Sequence, residues 1–178
     1  AKFKNSFDFI FNLIEIKKYE QLEWALDKHL DMNYEGYLYS YIKNSLFSLR
    51  FNKKVKFVSA SASNTIHLIT TNNKIFTKGS NSFGQTGILN DQNQKNNVNE
   101  WTQLTDNSIS TCYAIFSGYA YTHFLCADKV ISCGCSENGR LGNNIKNGNA
   151  YYSKVDLDQK VKKIGCGSTN SYFLTDTG

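Results

Sequence analysis

The chain has 178 residues, 20 of them Lys or Arg against 15 Asp or Glu, giving a formal net charge of +5, with no proline and five cysteines. That length suits one domain, and +5 is too small a bias for a dedicated nucleic-acid binder. No run reaches the roughly 18 consecutive apolar residues of a membrane span, and an odd cysteine count without framework spacing favours a reducing compartment, cytoplasm or nucleus.

In chain order, the first 50 residues read as helical. Phe3, Phe7, Ile10, Phe11 and Ile14 recur at helical spacing, with Asn5 or Ser6 as N-cap. Acidic residues inside this apolar run and the lack of a small-residue cleavage site exclude a signal peptide. A second helix fits about residues 20 to 30, with Leu22, Ala25, Leu26 and Leu30 on its apolar side. Residues 34 to 50, "YEGYLYSYIKNSLFSLR", leave room for another helix leading into the first strand.

From Val55 the pattern changes to short strands and glycine turns. Val55 and Phe57 alternate with Lys54 and Lys56, the period of a strand with one buried face. The stretch "KGSNSFGQTG", residues 78 to 87, sets Gly79, Gly84 and Gly87 at intervals of five and three. "CGCSENGRLG", residues 133 to 142, repeats those intervals with Gly134, Gly139 and Gly142. A phosphate loop would be followed by a helix and would end in Lys-Ser or Lys-Thr. Here each copy follows a strand-like run, "KIFTK" or "KVISC", and leads into polar sequence. Repetition therefore points to structural turns that need φ > 0.

Upstream, the repeat extends into units that begin at Val55, Cys112 and Val161. Ser61, Gly118 and Gly167 each stand six places on; Asn64, Tyr121 and Asn170 follow, then Thr65, Thr122 and Ser171, then Leu68, Leu125 and Leu174. Each unit reads strand, tight turn, strand, short polar turn, strand, glycine turn. The Asn-rich segment "LNDQNQKNNVNEW", residues 89 to 101, reads as a surface loop. Trp101 and Leu104 then return the chain to the next unit, as Val155 and Leu157 do later.

This order of glycines, a polar residue, Ser or Thr and Leu, closed by "GSNSFGQTG" or "GCSENGRLG", resembles the regulator of chromosome condensation (RCC1-like) repeat over about residues 55 to 178. The resemblance implies a mainly β fold, a partial β-propeller over residues 51 to 178. It would hold two blades and the start of a third of the family's seven-bladed form, incomplete at the C-terminus and preceded by the helical segment 1 to 50. The pattern departs from the family's at Lys78 and Cys133, where Trp is usual, at Asn64, Tyr121 and Asn170, where His is frequent, and at Ser61, which replaces glycine. A charged Lys78 implies a looser or partly exposed first blade. Within about residues 5 to 36, the stretch "YEQLEWALDKHLDMN" resembles the second helix and exit turn of an ankyrin repeat, with His29 in place of glycine. A helical hairpin covering a propeller face or edge fits those residues equally well.

No catalytic, cofactor or metal site is expected. Cys112, Cys126, Cys133 and Cys166 read as small hydrophobes, and Cys133 and Cys135 are too close for a C-x-x-C zinc or redox pair. His29, His67 and His123 fall at unrelated repeat positions, so no Ser–His or Cys–His arrangement follows. The structural set is Gly79, Gly84, Gln85, Gly87, Gly118, Gly134, Gly139, Gly142 and Gly167. Lys53, Lys54 and Lys56 match Lys160, Lys162 and Lys163 in repeat position, as a solvated face that blunts edge pairing or as contacts to an acidic partner. The expected function is a protein-interaction module or scaffold with no covalent chemistry and no membrane, whose nucleic-acid binding is weak and salt-dependent at most. The resemblance also implies two alternatives: a guanine-nucleotide exchange factor for a Ran-type small GTPase on chromatin, or a substrate-recruiting part of a ubiquitin-ligase assembly.

Overall fold

The computed structural model describes residues 37–42, 45–51, 53–88, 97–145 and 149–178. The chain divides into two compact units, Ala1–Lys54 and Val55–Gly178. In the first, β1 (Tyr37–Ile42) pairs antiparallel with β2 (Ser45–Arg50), from Tyr37 opposite Arg50 to Ile42 opposite Ser45. This corrects the helix expected within residues 34 to 50. Segments crowded with Tyr, Phe and Ile lose rotamer freedom in a helix and favour extended backbone, and a two-residue gap between such runs is hairpin spacing. The helices expected over residues 3 to 14 and 20 to 30, and the ankyrin-like stretch, lie outside the described residues.

The second unit holds two four-stranded antiparallel sheets whose strands neighbour one another in chain order. The first contains β3 (Val55–Ala60), β4 (Thr65–Thr70), β5 (Ile75–Gly79) and β6 (Val98–Leu104). The second contains β7 (Cys112–Ser117), β8 (Tyr121–Cys126), β9 (Val130–Cys135) and β10 (Asn149–Lys154). β11 (Val161–Cys166) and β12 (Ser171–Thr175) pair as a third. Each full repeat thus has four strands rather than three. β6 takes in residues 98 to 101, read from sequence as loop, and Trp101 and Leu104 belong to the first sheet. Its sequence, VNEWTQL, carries little strand signal of its own; the ladder to β5, with Ile75 opposite Leu104 and Thr77 opposite Thr102, supplies it.

The glycine turns follow from register. Thr65 faces Gly79, and Tyr121 faces Gly134. At each place the next N–H reaches a carbonyl of the tight turn: Ser80 to Asn64 at 3.2 Å, Cys135 to Ala120 at 2.9 Å. Gly79 and Gly134 have φ of +116° and +109°, and a Cβ on either would collide with that same carbonyl. Only glycine meets both demands. Gly84, Gly87, Gly139 and Gly142 also have positive φ, from +64° to +80°.

The tight turns differ by one residue. The Ser61 N–H donates to the Thr65 carbonyl, whereas Gly118 donates to Tyr121 and Gly167 to Asn170. The first turn is therefore one residue longer, and equal spacing misaligns the second strands: Asn64 corresponds to Ala120, and His67 to His123. The two histidines occupy one repeat position, contrary to the sequence reading.

The core lies between the sheets. Ile69, Ile75 and Leu104 of the first pack with Ile115, Phe124, Ile131 and Cys133 of the second. Ala114, Leu125 and Val130 pack with Val161 and Ile164 of β11. Burying each such Leu, Ile or Phe stabilises by about 1.5–3 kcal/mol, so the seams carry the cohesion of this unit. On β12, Tyr172 and Leu174 face outward, 69% and 47% exposed. Lys78 is half-buried, while Cys133 at its equivalent place is fully buried. The cysteine reading needs one correction: Cys112 and Cys126 are direct register partners across β7 and β8, and their sulfurs meet as a disulfide pair would. Their 14-residue separation matches no motif, and only the hairpin register brings them face to face.

Crowding and φ make separable demands. Gly134→Ala is expected to cost at least about 3 kcal/mol, from a backbone collision added to left-handed strain. Gly139→Ala, with open space around it, is expected to cost about 1 kcal/mol. Urea unfolding of the two variants measures the difference; equal losses would contradict the register argument.

Candidate functional site

Each glycine turn is organised by buried polar side chains. In the first, Asn81 Oδ1 accepts from the Thr86 N–H at 3.1 Å while its Nδ2 donates to the Ile88 carbonyl at 3.1 Å. Gln85 Oε1 accepts from the Phe83 N–H at 2.9 Å. Asn81 and Gln85 are each 1% exposed, so their amides serve the turn rather than solvent. This is the physical content of the sequence "GSNSFGQTG".

The turn's backbone then grips the next sheet. The Gln85 carbonyl accepts the Thr122 hydroxyl at 2.9 Å and, more weakly, the Cys133 thiol at 3.6 Å. One repeat later, the Arg140 carbonyl accepts the Ser171 hydroxyl at 2.8 Å. Thr122 and Ser171 are equivalent residues, so one bond recurs at both seams. Arg140, in place of Gln85, is 6% exposed. Its Nε donates to the Glu137 carbonyl at 2.8 Å and its Nη1 to the Ser168 carbonyl at 3.3 Å, which adds a tie to the third tight turn. Tyr121 serves the same place: its hydroxyl donates to the Asn170 carbonyl at 2.6 Å, and burial raises its pKa to about 12.

The equivalent histidines close the seams. His67 Nε2 lies 3.4 Å from the Thr86 carbonyl, and its Nδ1 lies 3.4 Å from the Ser117 hydroxyl, which in turn receives the Ser59 hydroxyl at 3.0 Å. With Nε2 protonated, Nδ1 accepts from Ser117. The ring stands edge-on to Phe124, with centroids 5.6 Å apart. His123 keeps the carbonyl contact, its Nε2 3.3 Å from the Arg140 carbonyl, and the edge-on ring, with the Phe173 centroid 5.2 Å away. The Ser171 hydroxyl, however, lies 2.8 Å from that same Nε2, and the buried Nδ1 has no hydrogen-bond partner among the described residues. The sequence reading found no Ser–His arrangement; the fold makes two. Burial holds both imidazoles down at about 4, which makes each a weak proton acceptor, and the groups bonded to them are carbonyls and hydroxyls rather than a carboxylate. These are ties between sheets. The thiols are likewise inert: burial raises Cys133 and takes Cys166 to about 11.

The lysines are placed elsewhere. Val55 pairs with the end of β4, whereas Gly79 pairs with its start, so Lys56 and the glycine turns lie at opposite ends of the sheet. Lys53, Lys54, Lys56, Lys160, Lys162 and Lys163 are all exposed. The two groups belong to the first and third repeats, where the register matches Lys54 with Lys160 and Lys56 with Lys162 but sets Lys53 against Gln159 and Lys163 against Phe57. In the intervening one, the positions equivalent to Lys54, Lys56 and Phe57 hold Thr111, Tyr113 and Ala114, so an uncharged repeat separates the two basic groups. Gly118 and Gly167 sit in the tight turns at the glycine end; a Cβ on Gly118 would collide with the Tyr121 ring. Among the described residues no group of three or more His, Cys, Asp or Glu could hold a metal ion, and no helix is long and apolar enough to cross a membrane.

No family model matches the chain, nor does any curated protein. Solved structures do. Prp20p from Saccharomyces cerevisiae superimposes with a TM-score of 0.65 at 21% identity, covering 76% of this chain and 34% of that one. The fold is RCC1-like. The same yeast RCC1 (Prp20) bound to Kap60 gives a TM-score of 0.64 at 22% identity over 75% of this chain and 32% of that chain. Human WBSCR16 gives 0.61 at 13% identity over 74% of this chain and 34% of the other. The chain thus spans about a third of the length of these proteins. Its mainly β, antiparallel architecture matches their propeller sheets, while the ankyrin-like stretch finds no support.

The seam histidines predict a pH dependence. Their folded values, about 4, lie below the ordinary 6.5, so the unfolded chain binds protons first. Stability is full above about pH 6.5 and falls toward pH 4, by up to about 1.4 kcal/mol per pH unit for each histidine. Urea unfolding across that range should show the loss, and His67→Gln should reduce its slope. A slope identical in the variant would contradict the assignment.

Proposed function

We propose that the chain is a protein-interaction module. One observation carries this reading: Asn81 and Gln85 of the first glycine turn, and Ser136 and Arg140 of the second, are turned inward, while Phe83 and Tyr119 stand outside at turn tips. Phe83, at the tip of the first glycine turn, is 38% exposed, and Tyr119, in the tight turn between β7 and β8, is 51% exposed. Both turns lie at the same end of their sheets. Exposed aromatics on rigidly held turns suit recognition of a protein surface, and nothing in the seams supplies an accessible nucleophile with a competent base.

A second reading is favoured by the likeness to Prp20p, described with binding properties toward Gsp1p and histones. On that reading the chain contributes part of an exchange factor for a Ran-type small GTPase in the nucleus. Fold alone does not carry that activity across. A substrate-recruiting role in a ubiquitin-ligase assembly has no described feature in its favour, and a cytoplasmic or nuclear site of action is part of this same proposal.

Cross-linking mass spectrometry of the tagged chain in cells provides the test. Reproducible cross-links from the ends of the sheets to a distinct protein are expected. Intrachain links alone would contradict the module reading, and accelerated release of labelled GDP from a Ran-type GTPase would favour the exchange factor instead.

A further inference from the structure

The first strand of every repeat carries a β-bulge at the same position. Val55 pairs with Thr70 and Phe57 with Ile69, which makes Lys56 the extra residue of β3. Tyr113 is the extra residue between Cys112 and Ala114 on β7, and Lys162 between Val161 and Lys163 on β11. A bulge bends its strand and re-aims one side chain. All three re-aimed side chains are exposed.

The three strands run side by side. Ser59 and Ser117 join β3 to β7, and the Phe57 and Phe116 rings meet with centroids 6.2 Å apart. The Cys166 thiol donates to the Phe116 carbonyl at 3.5 Å, which joins β11 to β7. Lys56, Tyr113 and Lys162 therefore form a row across three consecutive repeats. The Lys56 ammonium donates to Asn73 Oδ1 and that of Lys162 to the Asp176 carbonyl at 3.4 Å, each at the turn following the second strand of its own repeat. Both acceptors are neutral, and among the described residues neither lysine is ion-paired. Exposed Asp128 and Asp176 sit on the turns beside the row.

We propose that this row is a docking strip for an extended acidic peptide segment of a partner protein. Carboxylates would engage Lys56 and Lys162, and an apolar or aromatic residue between them would pack on Tyr113. Two ammonium groups would release only about two counterions from a nucleic acid, and one aromatic is a single stacking platform rather than a series; a peptide with acids flanking an apolar residue fits the row better. The strip rests on the interaction-module reading and assigns it a surface.

The test is a fluorescence-anisotropy titration with a short fluorescein-labelled peptide of alternating Glu and Phe, competed by oligo-dT of similar length. The wild-type chain is expected to bind the peptide in a salt-sensitive manner. Joint Lys56→Glu and Lys162→Glu reversal should weaken binding about tenfold or more, and Tyr113→Ala about threefold. Lys154→Glu on β10, outside the row, should change it by less than about twofold. Unchanged melting temperatures establish that the variants are folded. Absence of peptide binding, binding that survives the joint reversal, or oligo-dT that binds more tightly than the peptide would each overturn the strip. If that happens while cross-links still reach a protein partner from the glycine-turn end, the module reading stands without it.

Discussion

The backbone carbonyl of Gln85 accepts the Thr122 hydroxyl, and that of Arg140 accepts the Ser171 hydroxyl. Each bond joins the glycine turn of one repeat to the second strand of the next, so the sheets are tied end to edge as well as face to face. Its geometry depends on the turn presenting a carbonyl outward from a buried loop. That in turn requires positive φ at the glycines and an interior filled by Asn81 and Gln85, or by Ser136 and Arg140. The hydrophobic seams add most of the energy, but they are non-directional; the carbonyl–hydroxyl bond sets which edge meets which turn.

The bulges and the glycine turns divide the labour between the two ends of the sheets. At the glycine end, polar side chains are used internally and the turn tips carry Phe83 and Tyr119. At the other end, the bulge turns the side chains of Lys56, Tyr113 and Lys162 away from the seam, while Cys112 and Val161 on their N-terminal side remain buried. A repeat architecture makes both patterns recur without further sequence cost, because each unit contacts only its neighbours.

The repeat itself was legible in the sequence because glycines in strained or crowded backbone cannot be replaced, and their five-and-three spacing survives in both copies. The Asn81 and Gln85 positions were visible as motif letters but not as a hydrogen-bonding network. What escaped was set by register. A single extra residue in the first tight turn hid the equivalence of His67 and His123. The outer strands β6 and β10 are specified by a neighbouring ladder more than by their own residues. Cys112 and Cys126 meet only because β7 and β8 fold back on each other, and the alternation of lysine, tyrosine and lysine emerges only when the bulges are aligned. In the first unit, the β preference of the Tyr-rich sequence and a two-residue gap favour the hairpin over a helix.

Hydrogen–deuterium exchange in a Thr122→Val variant tests the central claim most directly. Removing the hydroxyl leaves the Gln85 carbonyl buried without its strong donor, a loss of about 1–3 kcal/mol. The account predicts faster exchange at the amides of Thr86 and Gly87 in the first glycine turn, with β9 and β10 little changed. Exchange in that turn identical to wild type, with unfolding free energy within about 0.5 kcal/mol, would contradict the claim that the turn carbonyl holds the next sheet in place.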